Sequence, residues 1–426
     1  MARWRNEYWA LATLTAGVRI LFICIWPQNA FSIDLLDWQR AAGALLAQTN
    51  PYIRFETLNW PPMWMGVLFV LGKISVRTQW PFMTCVRLFL TFADVGLVIS
   101  TYALLRLLDP EKKIFRLLLI AICFNPLAIL LTIQQGNFDV LPAIGIVWFL
   151  YCLIQFRRRG NDIDWLCAAM CLGLATFAKT FPFALIPLLI AESRKLRWKV
   201  RLLGAALCAG PAILSLAPLY VLSPGPVASR VIFYRGTPGA MGVSGLLQLL
   251  INYQADLRYA PIFTFILLSS LCGLTWIFWR KPLQRDQDVV LLAATILIGL
   301  FEFGSAYCPQ YWMWVIPLLT VCYATQSKNF QRLLMVAASI IILTGVLQFA
   351  YDRFIGGFMA GWSPSPFNDR MVDLFSDVEH NLVLICLPMT FVTLLLWLNN
   401  CRLLIASNRG KSPATRPGYQ KTSPSV

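Results

Sequence analysis

The residues best equipped for chemistry are two carboxylates, Asp34 and Asp37, one helical turn apart at the head of the stretch FSIDLLDWQRAAGALLAQTNPYIRFETLNWPPMW, residues 31–64. A carboxylate at an apolar boundary loses hydration, so its pKa rises toward the working range of a general base that takes a proton from a hydroxyl. Asp34 has a second reading, as the cap of the helix that follows, and one residue can serve both roles. Asp37 is either a partner of Asp34 or a solvated charge on the helix face. The two can share a divalent cation, but no visible ligand set requires a metal or any other cofactor. The single histidine, His380, leaves no Ser-His arrangement and no His-based metal centre, and the twelve cysteines fall almost entirely in apolar runs with no CxxC spacing.

Further polar groups collect at the ends of apolar runs. In QQGNFDVLP (134–142), Gln135, Asn137 and Asp139 supply three hydrogen-bonding side chains within five positions, at a depth where an unsatisfied polar atom is costly. Asn and Asp are also ordinary turn formers. Lys179 is an isolated cation between apolar sequences, suited to snorkelling toward headgroups or to holding a phosphate as a point charge. Arg87 lies seven residues before Asp94 on one helix face. The two either neutralise each other or other partners, or Arg87 reaches a lipid phosphate. Arg230 and Arg235 in SRVIFYRGTPG combine cations with aromatics, a pattern that fits a lipid phosphate and sugar and also fits interfacial anchoring. Tyr311-Trp312-Met313-Trp314 reads as an aromatic belt more readily than as a sugar platform.

The elements that must position these groups are helices in a bilayer. The chain of 426 residues is 58% hydrophobic and 13% charged, with a mean hydropathy of +0.64, and apolar runs recur along nearly its whole length. That composition indicates an all-α, polytopic integral membrane protein. The net charge of +16 does not argue for nucleic acid, because the basic residues sit in short loops between apolar spans, as the positive-inside rule requires. Leu35, Trp38, Ala42 and Leu45 share one helical face while Asp37, Gln39 and Arg40 lie off it, which describes a helix on the bilayer surface. Asn50-Pro51-Tyr52 stops it, and Trp60-Pro61-Pro62 marks re-entry toward the membrane.

Residues 61–74 are too few to cross comfortably. Reading them as re-entrant places most of the 36 lysines and arginines on one, cytoplasmic side. The spans are then 8–26, 82–105, 117–133, 139–156, 163–178, 181–191, 202–222, 259–279, 288–304, 310–325, 333–351 and 382–398. That makes about twelve crossings with both termini cytoplasmic. The first span lacks a small-residue cleavage site and reads as a retained helix. Residues 1–400 form one transmembrane domain whose first outer loop is 27–81, and the Ser/Pro/Lys-rich stretch 401–426 forms a disordered basic tail. The polar candidates above collect on the outer side.

The chain also resembles the GT-C superfamily of membrane glycosyltransferases, nearest to glycosyltransferase family 87, the polyprenyl-phosphate-mannose-dependent α-mannosyltransferases. The family's first outer loop carries an Asp, an aromatic, Ala-Ala, an Asn-Pro-Tyr-like turn and Tyr-Pro-Pro. Here these are Asp34, Trp38, Ala41-Ala42, Asn50-Pro51-Tyr52 and Trp60-Pro61-Pro62. Asn125-Pro126, Gln135-Gly136-Asn137 and Lys179 with Pro182 match further short motifs. Trp38 and Trp60 stand where Tyr is usual, and Gln and Gly are exchanged in the 134–137 turn.

The resemblance implies transfer of a sugar, by default mannose, from a polyprenyl or dolichyl phosphate to an acceptor hydroxyl on a glycolipid or glycan. It implies that Asp34 is the catalytic base of an inverting reaction at the extracytoplasmic face. Read from the residues themselves, the donor-phosphate and substrate contacts expected are Lys179, Arg87, Arg230, Arg235, Gln135, Asn137, Asp139 and Trp60. The setting is a prokaryotic plasma membrane, or an ER membrane in a eukaryote. A transporter or flippase of lipid-linked sugar is the rival. It predicts two related halves, and no repeat relates 1–200 to 201–426. A membrane scaffold, the third reading, predicts nothing special about Asp34.

Overall fold

The computed structural model describes residues 2–25, 33–55, 58–109, 114–232, 242–243, 260–304, 308–361 and 378–409. Among these the chain is mostly helical, and the described parts of the stretches expected to span are largely helix, with 117–133 interrupted at Phe124-Asn125. The helices are α1 (Ala2–Ile25), α2 (Ile33–Leu46), α3 (Pro51–Arg54), α4 (Pro62–Thr78), α5 (Phe82–Leu108), α6 (Ile114–Leu118), α7 (Pro126–Ile129), α8 (Val140–Arg159), α9 (Asp162–Ala178), α10 (Ile186–Glu192), α11 (Trp198–Leu222) and α12 (Pro224–Val227). They continue as α13 (Ala260–Arg280), α14 (Asp286–Glu302), α15 (Trp312–Thr325), α16 (Lys328–Gly361) and α17 (Val378–Arg409). Among the described residues, six helices are long and apolar enough to cross a membrane, or seven if the bent pair 116–134 is one span. Length and composition alone therefore do not establish about twelve crossings. α17 also runs beyond the expected tail boundary, to Arg409, where the Ser407 hydroxyl donates to Asp288 Oδ2 at 2.6 Å. Residues 410–426 lie outside the described ones.

Ion pairs set the direction of the first helices. Arg106 donates to Glu7 at 2.6 Å, Tyr8 meets Tyr102 edge to face, and Arg19 donates to Asp94 at 2.8 Å, so α1 and α5 are antiparallel. The end of α1 and the start of α5 thus share one end of the bundle. The Trp64 ring, near the start of α4, lies 6.2 Å from that of Phe89. α4 then ends only four residues before α5 begins. Phe89 and Phe82 are about 10 Å apart along α5, whereas α4 is about 25 Å long at 1.5 Å per residue. Both ends of α4 therefore lie close to the first two turns of α5.

α2 buries Leu35, Trp38, Ala41 and Ala42 and exposes Gln39 and Arg40. Asp37 departs from the expected water-facing side. It is buried, and its Oδ1 accepts from Arg40 at 3.2 Å. The helix rests on α4 and on the 135–139 turn as well as facing outward, so part of its polar side is covered by protein.

Two breaks interrupt the spans. At the first, the axis bends by 46° between 116–123 and 126–134. Pro126 has no N–H to continue the ladder. Asn125 answers the break by accepting from Leu127 N–H at 3.0 Å and donating to the Ala121 carbonyl. Arg19 donates to the carbonyls of Ile122 and Cys123, which the bend frees. Asp94 pairs with Arg19, so it does not neutralise Arg87 on its own helix. Seven residues along a helix separate two side chains by about 10 Å, too far for an ion pair. At the second break, α9 stops at Ala178, Lys179 takes an extended backbone, and a tight 3-10 turn over Phe181–Leu185 leads into α10. Such backbone is tolerated at membrane depth where it lines a cavity.

Candidate active site

The breaks and the first loop converge at one end of the bundle. The link between them is Gly136. It has φ +71°, a left-handed conformation that suits glycine, and a Cβ there would lie 2.5 Å from Leu35 Cδ2. The 135–139 turn therefore presses directly onto the first turn of α2, beside Asp34. Phe138 from the same turn stacks on Trp64 at 4.4 Å and meets Trp38 edge to face at 5.8 Å, and Trp38 also packs on Trp60 and Trp64. The Tyr52 hydroxyl donates to the Trp60 carbonyl at 2.7 Å, while Asn50 caps α3 and donates to Ser223. The Pro- and aromatic-rich loop is thus a packed wall. Trp60, expected to touch substrate, is half-buried within that wall.

Lys179 is the centre of charge. Its ammonium donates to Asp139 Oδ1 at 2.6 Å and lies 5.4–5.6 Å from the rings of Phe138, Tyr311 and Trp314. Asp139 is completely buried and Lys179 keeps 22% of its side chain exposed. Asp139 thus positions the cation from behind and has no exposed surface of its own to offer a ligand. The rings contribute cation–π attraction in a place where water is excluded.

Asp34, half-buried on the first turn of α2, lies within the field of this pair. Burial pushes its carboxyl up to about 6; Lys179 pulls it down, and Asp139 and then Asp37 push it further up. A base with that pKa is ionised at neutral pH and retains appreciable proton affinity, the compromise that general-base catalysis favours. A carboxylate between a fixed cation and two further carboxylates can take up and release a proton near neutrality.

The polar turn is held from a place the sequence did not single out. Asn137 Nδ2 donates to Gln310 Oε1 at 2.6 Å, and Gln135 Nε2 donates to the same oxygen at 3.0 Å. Gln310 sits in the tight turn Pro309–Tyr311 that opens α15. Tyr311 and Trp314 follow it and enclose Lys179, with Phe181 stacked on Trp314 and Phe301 behind them. The aromatic-belt reading of 311–314 is therefore corrected: Trp312, Met313 and Trp314 are each no more than 3% exposed, packed inside the protein and away from a lipid interface. The available signal was a glutamine directly before an aromatic cluster at a span end, but its partners lie over 170 positions away.

The remaining candidates separate. Arg87 is buried in α5, 1% exposed, and so offers little surface to a lipid phosphate. Arg230 lies on a short helical turn, Ala228–Ile232, but its side chain is outside the described residues, as is all of Arg235. Among the described residues no three His, Cys, Asp or Glu side chains are grouped to hold a metal ion.

Comparison with known proteins extends this picture. No curated protein matches the sequence. Among solved structures, the chain is similar to ArnT from Cupriavidus metallidurans, a structure bound to undecaprenyl phosphate, at 15% identity and a TM-score of 0.48, over 93% of this chain and 77% of that one. The profile of glycosyltransferase family 87 matches residues 59–309, which takes in α4, the 135–139 turn and Lys179 and begins after Asp34. That match spans more than half of the sequence, and the chain belongs to glycosyltransferase family 87.

Proposed function

We propose that this membrane glycosyltransferase moves a sugar, mannose by family resemblance, from a polyprenyl phosphate to an acceptor hydroxyl, with Asp34 as the base. The observation that carries the reading is the position of Asp34 on α2, within the field of the Lys179–Asp139 pair and with a pKa near 6. Asp34 takes the proton from the acceptor hydroxyl. The resulting oxygen attacks the anomeric carbon, and the bond from that carbon to the phosphate oxygen breaks on the opposite face, inverting the centre. The phosphate leaves with one more negative charge, which a fixed cation stabilises in a water-poor site. Among the described residues Lys179 is the cation best placed for this, and Arg230 and Arg235 are further candidates from the sequence.

A lipid-linked donor suits a site at the end of apolar helices. An outer site is supported by α8, which starts at the 135–139 turn and ends about 30 Å away in Arg157, Arg158 and Arg159. By the positive-inside rule that basic end is cytoplasmic and the site end is not. The test is transfer by the purified protein in lipid nanodiscs, given a panel of radiolabelled polyprenyl-phosphate sugars and membrane extract as the acceptor source. Label reaching a new product with the parent protein and not with Asp34→Asn is the expected result. Undiminished transfer by Asp34→Asn would remove the base assignment.

A further inference from the structure

We infer that Gln310 reads the sugar: its side-chain nitrogen donates to a hydroxyl oxygen of the donor's sugar ring. The inference rests on the transfer reaction proposed above and adds a specificity residue to it.

The direction of a chain of amides carries the argument. The backbone N–H of Asp139 donates to Asn137 Oδ1 at 2.9 Å. A backbone N–H cannot accept, so the Asn137 amide has one orientation and its Nδ2 must point the other way. That nitrogen donates to Gln310 Oε1 at 2.6 Å, and Gln135 Nε2 adds a second donor at 3.0 Å. Reversing the Gln310 amide would set NH2 groups against each other, so its carbonyl faces the 135–139 turn and its own NH2 faces away. Among the described residues no group accepts from that nitrogen, and the side chain is half-buried. Two N–H donors of fixed direction are left to an outside acceptor.

The neighbours indicate what kind of acceptor. Tyr311, the next residue, lies 5.4 Å from the Lys179 ammonium, so Gln310 borders the ion pair. Lys179, partly open beside Asp139, is the cation available to the donor phosphate. Gln310 carries no charge to balance an anion, and an uncharged hydroxyl oxygen is the acceptor its N–H groups suit. A neutral amide next to aromatic rings supplies direction without charge, which matches a sugar hydroxyl better than a phosphate oxygen.

Two variants separate this role from a structural one. Gln310→Glu keeps an oxygen for Asn137 and Gln135 and replaces the outward donor by an acceptor, and Gln310→Met has similar length and no donor. Each is compared with the parent in nanodiscs, using the polyprenyl-phosphate sugar that the parent accepts (mannose tried first) and the monodeoxy analogues of that donor. The parent should discriminate against one analogue by about tenfold in kcat/KM, the effect of one hydrogen bond of about 1.4 kcal/mol. Both variants should raise KM for the full sugar and transfer that analogue and the full sugar equally. Parental discrimination retained in either variant, or an equal loss for every donor, would overturn the assignment. A parent protein inert toward every polyprenyl-phosphate sugar would instead count against the transfer reading itself.

Discussion

The same attraction serves two of the protein's acid–base pairs, Arg19–Asp94 and Lys179–Asp139, differently. Arg19–Asp94 joins α1 to α5 with neither side chain exposed. The planar guanidinium spreads its donors over Asp94 and the carbonyls of Ile122 and Cys123, where the bent span has lost its own partners. Lys179–Asp139 joins a helix break to a turn, with a compact ammonium that makes one ionic contact, rests among three rings and keeps an exposed side. Arginine suits the first task because its donors form a fixed fork, and lysine suits the second because it acts as a point charge. A pair whose cation donates into broken backbone serves architecture. A pair whose cation is partly open and acts on a third carboxylate serves proton transfer in the reaction proposed above.

Variants can break or sharpen that contrast. The largest effect belongs to the carboxylate that the second pair acts on: Asp34→Asn should lower kcat by about 10²–10⁴-fold, the usual contribution of a general base, with the thermal midpoint in detergent unchanged. Next, Arg19→Met leaves Asp94 buried without its counter-charge and should cost on the order of 3–5 kcal/mol of stability. Adding Asp94→Leu should recover most of that, as denaturation of the purified proteins would show. The pH dependence of transfer should stay where it is in both, and a moved profile would mean the pairs are not separate.

Lys179→Met, unlike Arg19→Met, should move the pH profile. It removes the attraction that holds Asp34 down, so the acid limb of kcat/KM should move above its parental position near pH 6 and transfer should slow. Asp139, left buried without its counter-charge, costs stability as Asp94 does. Asp37→Asn is the smallest change. Asp37 pushes the Asp34 pKa up least among the three charged neighbours, so the limb should move slightly to lower pH. A move to higher pH would show that Asp37 acts through the position of α2 and not through its charge.

The sequence made the helices legible because apolarity over a membrane's width is a local property. It also located Asp34, the 135–139 turn and Lys179, since charges and amides at span ends stand out against apolar neighbours. It did not reveal what those groups do to one another. Arg19 is the only charge in α1 after Glu7, and a charge within an apolar span requires a partner, yet Asp94 lay 75 positions on and Arg87 was nearer in sequence. Gln310 was passed over because its meaning lies in two amides on another helix break. The rings of Tyr311 and Trp314 were assigned to a lipid interface because an aromatic cluster at a span end looks the same whether it faces lipid or encloses a lysine.

The measurement that tests the central claim most directly is the pH dependence of kcat/KM for sugar transfer by the parent protein and by Lys179→Met, with Asp34→Asn as the reference for lost base. An acid limb near pH 6 in the parent, displaced upward in Lys179→Met, with Asp34→Asn reduced to background, is what the tuned carboxylate predicts. A limb that stays in place without Lys179, or one that persists in an active Asp34→Asn protein, would contradict it.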